Sequence, residues 1–223
     1  GWARHDKRLV GFATLTKIRA VVTKTFENIT FIGCGRCRRA MATSKTGSFW
    51  LTERLDGATA TAGNVQGTID LGAYVDVGDQ QALAIEQVDF VLQAYDVAND
   101  IYNTALQGAA SGDTTWDFQL SDLNPGNTIV SADSQSLIAS AVLMFDDSNN
   151  TSSIGPDLYP DIFGKLDESR MVVNDQLYFV MDASTATVAN FQWRATVRIK
   201  ARIVKLSSKD WMAIAIQSTA ADN

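Results

Sequence analysis

Phe191-Gln192-Trp193-Arg194-Ala195-Thr196-Val197-Arg198-Ile199-Lys200-Ala201-Arg202-Ile203 is the stretch that decides the fold. Every odd position is apolar and every even position is polar or charged. A period of two is that of a β-strand, whose successive side chains point to opposite faces. The spacing predicts Phe191, Trp193, Ala195, Val197, Ile199, Ala201 and Ile203 facing a core. It places Arg194, Arg198, Lys200 and Arg202 together on the other face.

The same period runs through much of residues 48–217. Val65, Gly67, Ile69, Leu71, Ala73, Val75 and Val77 share one parity, against Gln66, Thr68, Asp70, Gly72, Tyr74 and Asp76 on the other. Val88, Phe90, Leu92 and Ala94 form a second alternating set, and Trp116, Phe118 and Leu120 a short third. Leu137–Phe145 is an apolar run of strand length, Met171–Asp182 carries Leu177, Phe179 and Met181 on one parity, and Trp211–Ile216 supplies a last strand. Gly-, Asn-, Asp- and Ser-rich spacers separate these runs, at Gly57–Gly63, Gly108–Thr114, Asn124–Asn127, Asn149–Pro156 and Ala183–Asn190. Six to nine strands with such loops predict an all-β chain, an antiparallel sandwich or barrel. Helix is confined to Val97–Gln107 and a turn or two within Pro160–Ser169. At 223 residues the chain is long enough for one good core.

Charge is distributed unevenly. Residues 1–46 hold ten Lys and Arg against two acids, a net of +8; residues 47–223 hold nine against 23, a net of −14. No Lys or Arg occurs between Arg54 and Lys165, while 16 Asp and Glu do. The composition therefore divides the chain into a basic N-terminal arm, residues 1–46, and an acidic body, residues 47–223. A cationic end on an anionic body marks a segment that binds a polyanion or an oppositely charged neighbour. The arm also carries Phe12, Leu15, Ile18, Val22, Phe26 and Ile29 at helical spacings of three and four, although Val21–Ile32 competes as a strand. Met41-Ala42-Thr43-Ser44 reads as a natural initiator, and under that reading residues 1–40 lie upstream of the functional start. The opening Gly implies processing, trimming or a tag. Residues 1–22 lack the continuous apolar region of a signal peptide, and no stretch approaches a membrane helix.

Catalytic motifs are missing from the sequence: it has no GxSxG, P-loop, GxGxxG in a strand–helix context or HExxH, and His5 is the one histidine. The chain is therefore expected not to be an enzyme and to need no cofactor. Cys34 and Cys37 form a lone CxxC, read either as incidental thiols made reactive by Arg36, Arg38 and Arg39, or as half of a metal site completed by another subunit. Asp76/Asp79, Asp146/Asp147 and Asp157/Asp161 could bind calcium, or simply form turns. Arg194, Arg198, Lys200 and Arg202 read as a ladder contacting phosphates or an acidic subunit, or as a wet sheet face paired with local carboxylates. Of five tryptophans, Trp50, Trp116, Trp193 and Trp211 fall in expected strands and serve the core or subunit contacts. Exposed strand tryptophans would instead indicate a sugar-binding platform.

A basic arm before an acidic body of about eight strands, ending in Met171–Asp182, Phe191–Lys205 and Trp211–Ile216, resembles the single jelly-roll viral capsid proteins. The resemblance covers roughly residues 45–217 and rests on architecture. It implies a jelly-roll β-sandwich that self-assembles as many copies into a virion shell. It also implies arm cations, Arg4, Lys7, Arg8, Lys17, Arg19, Lys24, Arg36, Arg38 and Arg39, that neutralise genome nucleic acid or tie subunits together, and no membrane partner. The apolar residues of the arm depart from a purely genome-binding tail and point toward packing on protein. A carbohydrate-binding, lectin-like sandwich is the alternative, and a virion tail or spike component a third.

Overall fold

The computed structural model describes residues 42–103, 106–155, 157, 161–164, 169–188 and 190–220. The arm cations from Arg4 to Arg39, the Cys34/Cys37 pair, Trp2 and the helical set from Phe12 to Ile29 lie outside the described residues.

Eleven strands and one helix are formed among them: β1 (Thr43–Ser44), β2 (Phe49–Asp56), β3 (Gly63–Asp70), β4 (Gln81–Asp96), β5 (Ile101–Asn103), β6 (Thr114–Ser121), β7 (Leu137–Asp146), β8 (Thr151–Ile154), β9 (Arg170–Val172), β10 (Gln176–Ala183), β11 (Phe191–Lys205) and α1 (Ser208–Ala220). In the first sheet, β11 lies between β4 and the β1 and β2 segments, and β4 also pairs β5 and β9. The second sheet runs β3-β10-β6-β7-β8. The four-strand cores are therefore β2-β11-β4-β9 and β3-β10-β6-β7, all antiparallel. The chain changes sheet after β2, β3, β5, β8, β9 and β10. That strand order is a jelly roll.

The alternation in β11 is realised as far as Ala201: Trp193, Ala195, Val197, Ile199 and Ala201 are buried between the sheets, Phe191 packs at their margin, and Ile203, expected inward, is half-buried and outside this core. Trp193 meets Trp116 of β6 edge-on at 4.8 Å, and Phe90 of β4 stacks on Phe118 and Phe179 at 5.9 and 5.7 Å. These contacts close the sandwich, because each joins an inward residue of one sheet to one of the other.

β4 is longer than its alternating set. Lys200 of β11 pairs Gln87 while the next residue, Ala201, pairs Ile85, so Glu86 is an extra residue in a bulge. The bulge reverses the phase of the strand. Leu83 and Ile85 face the core before it, Val88 and Ala94 after it, and Glu86 faces outward.

Three expectations are corrected. Trp211–Ile216 is helical, not a strand, because Ser207 caps it. The Ser207 hydroxyl accepts from the Asp210 amide at 3.2 Å and donates to the Asp210 carboxylate at 2.8 Å, a reciprocal cap. Trp211, Ile214 and Ala215 then share one helix face, which covers Ala82, Ala84 and Val204 on the outside of the first sheet. Residues 97–103 are a turn followed by β5 rather than a helix. Asp96 accepts from the Ala98 and Asn99 amides and from the Asn99 side chain, and Asp100 takes a φ of 55°. Asp146 and Asn149 repeat this turn, with Asn150 at φ 51°. The strand read over residues 65–77 stops at Asp70, where Leu71 turns the chain by accepting from Tyr74 and Val75. Thr43–Ser44, which composition grouped with the extension, pairs Lys205 and Val204 of β11.

Candidate functional site

The outer face of the first sheet is built by the register of β2 on β11 on β4. Across the strands, Asp56 stands beside Arg194 and Gln93, Arg54 beside Thr196 and Val91, Thr52 beside Arg198 and Asp89, and Trp50 beside Lys200 and Gln87. Strand alternation places Arg194, Arg198, Lys200 and Arg202 on one side, but their surroundings differ sharply.

Arg202 donates to Glu86 from Nε at 2.6 Å and again from Nη2, and Nη2 also reaches the Ser48 hydroxyl at 3.1 Å. Ser48 donates to the other Glu86 oxygen at 2.9 Å, and the Lys200 amine stands 4.0 Å from it. Glu86 is only 4% exposed, so these partners offset the cost of holding a carboxylate out of water. Arg194 lies 3.4 Å from Asp56, donates to the Tyr102 hydroxyl at 2.8 Å and rests 3.3 Å over the Tyr95 ring. The Tyr95 hydroxyl is held above its ordinary pKa by its hydrogen bond to Asp100. Three of the four ladder cations are thus engaged by the body's own groups. Arg198 is the exception. It is exposed and sits 4.8 Å over the Trp50 ring, and no carboxylate stands within 4.0 Å of it among the described residues.

Trp50, expected in the core or at a subunit contact, stays out of the core and is 43% exposed on this face. Phe49-Trp50-Leu51 is apolar throughout, so the side of the indole is set by Thr52, Arg54 and Asp56 further along β2, which share its parity. Trp116 and Trp193 are buried as expected, and Trp211 belongs to α1.

Charge is segregated between the two outer faces. The first sheet shows Arg54, Arg194, Arg198, Lys200 and Arg202 against Asp56, Glu86 and Asp89. Strands β3, β6, β7 and β10 carry no Lys or Arg, and their outward positions include Asp70, Asp117, Asp146 and Asp182. Asp117 and Asp182 are directly opposite in register, and burial, then Asp182 and Asp157, raises the Asp117 pKa. A segment after β8 joins this side to β4. Gly155 donates to Val142, Ser140 donates to Asp157, Asp161 accepts from the Val88 amide, and Phe163 donates to Glu86. Burial pushes the Asp161 carboxyl up to about 6, with Asp157 and Asp89 adding to the shift.

The calcium reading of the loop carboxylates gains nothing here: no group of three His, Cys, Asp or Glu able to hold a metal occurs among the described residues. Asp76 instead accepts from the Gly78 and Asp79 amides, which is turn chemistry. A cleft of about 200 Å³ between β9 and α1 is lined by Asp122, Ser169, Arg170, Met171, Ile214 and Gln217. No described helix is long and apolar enough to cross a membrane.

No protein-family model and no curated protein matches this chain. In structure it is similar to jelly-roll viral capsid proteins of polyomaviruses. The unassembled VP1 pentamer of Merkel cell polyomavirus is 8% identical, matched over 74% of this chain and 99% of that one at a TM-score of 0.36. The unassembled VP1 pentamer of KI polyomavirus is 10% identical, over 75% and 100%, at 0.38. VP1 of trichodysplasia spinulosa-associated polyomavirus, in complex with sialylated glycooligomers, is 8% identical, over 74% and 99%, at 0.39.

Proposed function

We propose that this chain is a structural virion protein that self-assembles into a capsid shell, its cationic extension contacting neighbouring subunits or genome. The observation that carries the reading is the segregation of charge on a jelly-roll frame. A basic extension of net +8 joins an acidic body at β1, on the first sheet, and that sheet's outer face holds five of the body's nine Lys and Arg. Acidic bodies repel one another unless cations intervene, so copies come together with a basic segment or face of one against an acidic face of the next. Exposed Ile154, Ile162, Met212 and Ile216 are apolar surface for such contacts to cover. No catalysis is assigned to the chain.

Light scattering and negative-stain imaging of the purified chain test this. The expected result is particles or closed oligomers far above 24.2 kDa, with interfaces larger than the roughly 800 Å² typical of crystal contacts. A 24.2 kDa monomer at every salt concentration and pH would overturn it.

The carbohydrate-binding alternative is favoured by one observation, the exposed strand tryptophan Trp50. The side chains around it are Arg198 and Lys200, so a sugar seated there would be an acidic one. A glycan array in which neutral sugars bind best would reject that form of the alternative.

A further inference from the structure

We propose that Trp50, Arg198 and Lys200 form a stacking platform for single-stranded nucleic acid on the outer face of the first sheet. The inference deepens the capsid reading and rests on it for the choice of polyanion. β2 turns Leu51 and Leu55 toward the sandwich and Thr52, Arg54 and Asp56 away from it. Trp50 has the outward parity, so its indole stands among polar side chains, 43% exposed. A large apolar ring left in water on an otherwise polar face is surface that a ligand can cover.

The groups beside it select the ligand's charge. Arg198 lies over the indole at 4.8 Å, with no carboxylate within 4.0 Å among the described residues. A guanidinium resting over a ring still has N–H groups to offer a phosphate oxygen. Lys200 is directly across from Trp50 and 34% exposed, and it shares the Glu86 carboxylate, 4.0 Å away, with Arg202 and Ser48. Arg54 and Arg194 share Asp56 and Arg202 holds Glu86, so with Asp89 across from Arg198 this face carries five cations against three carboxylates, while the outward strand positions of the second sheet carry acids and no Lys or Arg. A polyanion is repelled from that side and steered to this one.

Stacking then distinguishes single strands from duplexes. The exposed indole and the Arg198 guanidinium over it offer a stacking surface that meets the flat face of a base only where bases are unstacked, while cations beside it follow the backbone. The strand presents Arg194, Arg198, Lys200 and Arg202 at even positions, on one side of β11, so a backbone laid along β11 passes them in turn.

The test uses the full chain and a labelled single-stranded oligonucleotide, followed by anisotropy, with duplex DNA and heparin in parallel. Circular dichroism and a melt establish that W50A, W50F and R198E are folded. W50A is expected to weaken single-strand binding by roughly 5- to 100-fold, the loss of one base stack. Duplex and heparin binding should change less than threefold, and W50F should restore most of the affinity. R198E should weaken binding of all three ligands and make the single-strand salt dependence shallower. Single-strand affinity within twofold of wild type in both W50A and R198E would overturn the proposal. So would equal losses on duplex and heparin in W50A. Defective particles with unchanged oligonucleotide binding would overturn it too, by making this face a subunit interface, and selective capture of an acidic glycan would assign Trp50 to sugar. If the wild type forms no particles yet W50A selectively loses single strands, the capsid reading fails and the platform stands.

Discussion

Glu86 and Arg202 are joined across the first sheet at the β4 bulge, with two guanidinium nitrogens on one carboxylate oxygen and Ser48 on the other. Glu86 is 4% exposed and the Arg202 side chain 14%, so neither partner is solvated well enough to stand alone. Replacing Glu86 with Gln is expected to cost about 2–4 kcal/mol, most of it from an arginine left without its counter-charge. Urea denaturation checks this. The double variant E86Q/R202M should be less destabilised than the sum of its single variants, and additivity would show that the two groups do not act as a pair.

Adjacent residues of β11 provide a test of its alternation. Val197 is fully buried and Thr196 faces outward. Val197→Asp should prevent folding, because an unpaired carboxylate in an apolar core costs several kcal/mol. Thr196→Asp should leave the far-ultraviolet circular dichroism spectrum unchanged. Equal tolerance of both would refute the register of the strand.

Asp161 makes stability depend on pH. Its pKa in the fold is about 6, above the unfolded value of about 3.9, so the folded chain holds the proton more tightly. The stabilisation is fully present below about pH 4 and is lost as pH rises through 6. The Asp117 shift acts in the same direction. Asp161→Asn should raise Tm at pH 7–8 relative to wild type and flatten the dependence between pH 4 and 6. A wild-type Tm that rises steadily across that window, with no difference in the variant, would contradict the assignment.

The cap of α1 has a separable cost. Ser207→Ala removes the hydroxyl that holds the Asp210 amide and should cost about 1 kcal/mol. Amide exchange should accelerate in α1 first, leaving β11 protected, since the helix packs on the outside of the sheet rather than between the sheets.

Deleting residues 1–40 removes the extension without touching β1. The sandwich should remain folded with little change in Tm, while assembly or packaging is impaired. Particles that form equally well from the shortened chain, by negative stain, would show that the charge asymmetry has no part in assembly.

Much of the first sheet's β11 is readable from the chain, because side-chain parity is a local property: Trp193, Val197 and Ile199 face inward and Arg194 and Arg198 outward wherever that strand lies. The turn chemistry of Asp96 and Asp146 is equally local. The helix at Ser208–Ala220 had a local signal as well, the Ser207 and Asp210 spacing, but the apolar run Trp211–Ile216 fits a short strand or a helix until its partner surface is known. The partner is the outer side of Ala82, Ala84 and Val204, residues far apart in sequence.

By itself, then, the sequence determined the alternating strands, the all-β class and the separation of a basic extension from an acidic body, since each depends on neighbouring residues or on composition. Only the tertiary structure decided which cations remain available. Glu86 lies 116 residues from Arg202 and reaches it through a bulge that no alternation announces, while Asp56 and Tyr102 take Arg194. Trp50 and Arg198 meet because β2 and β11 pair in one particular register, and register is set by long-range packing, where a shift of one residue would turn every side chain to the opposite face.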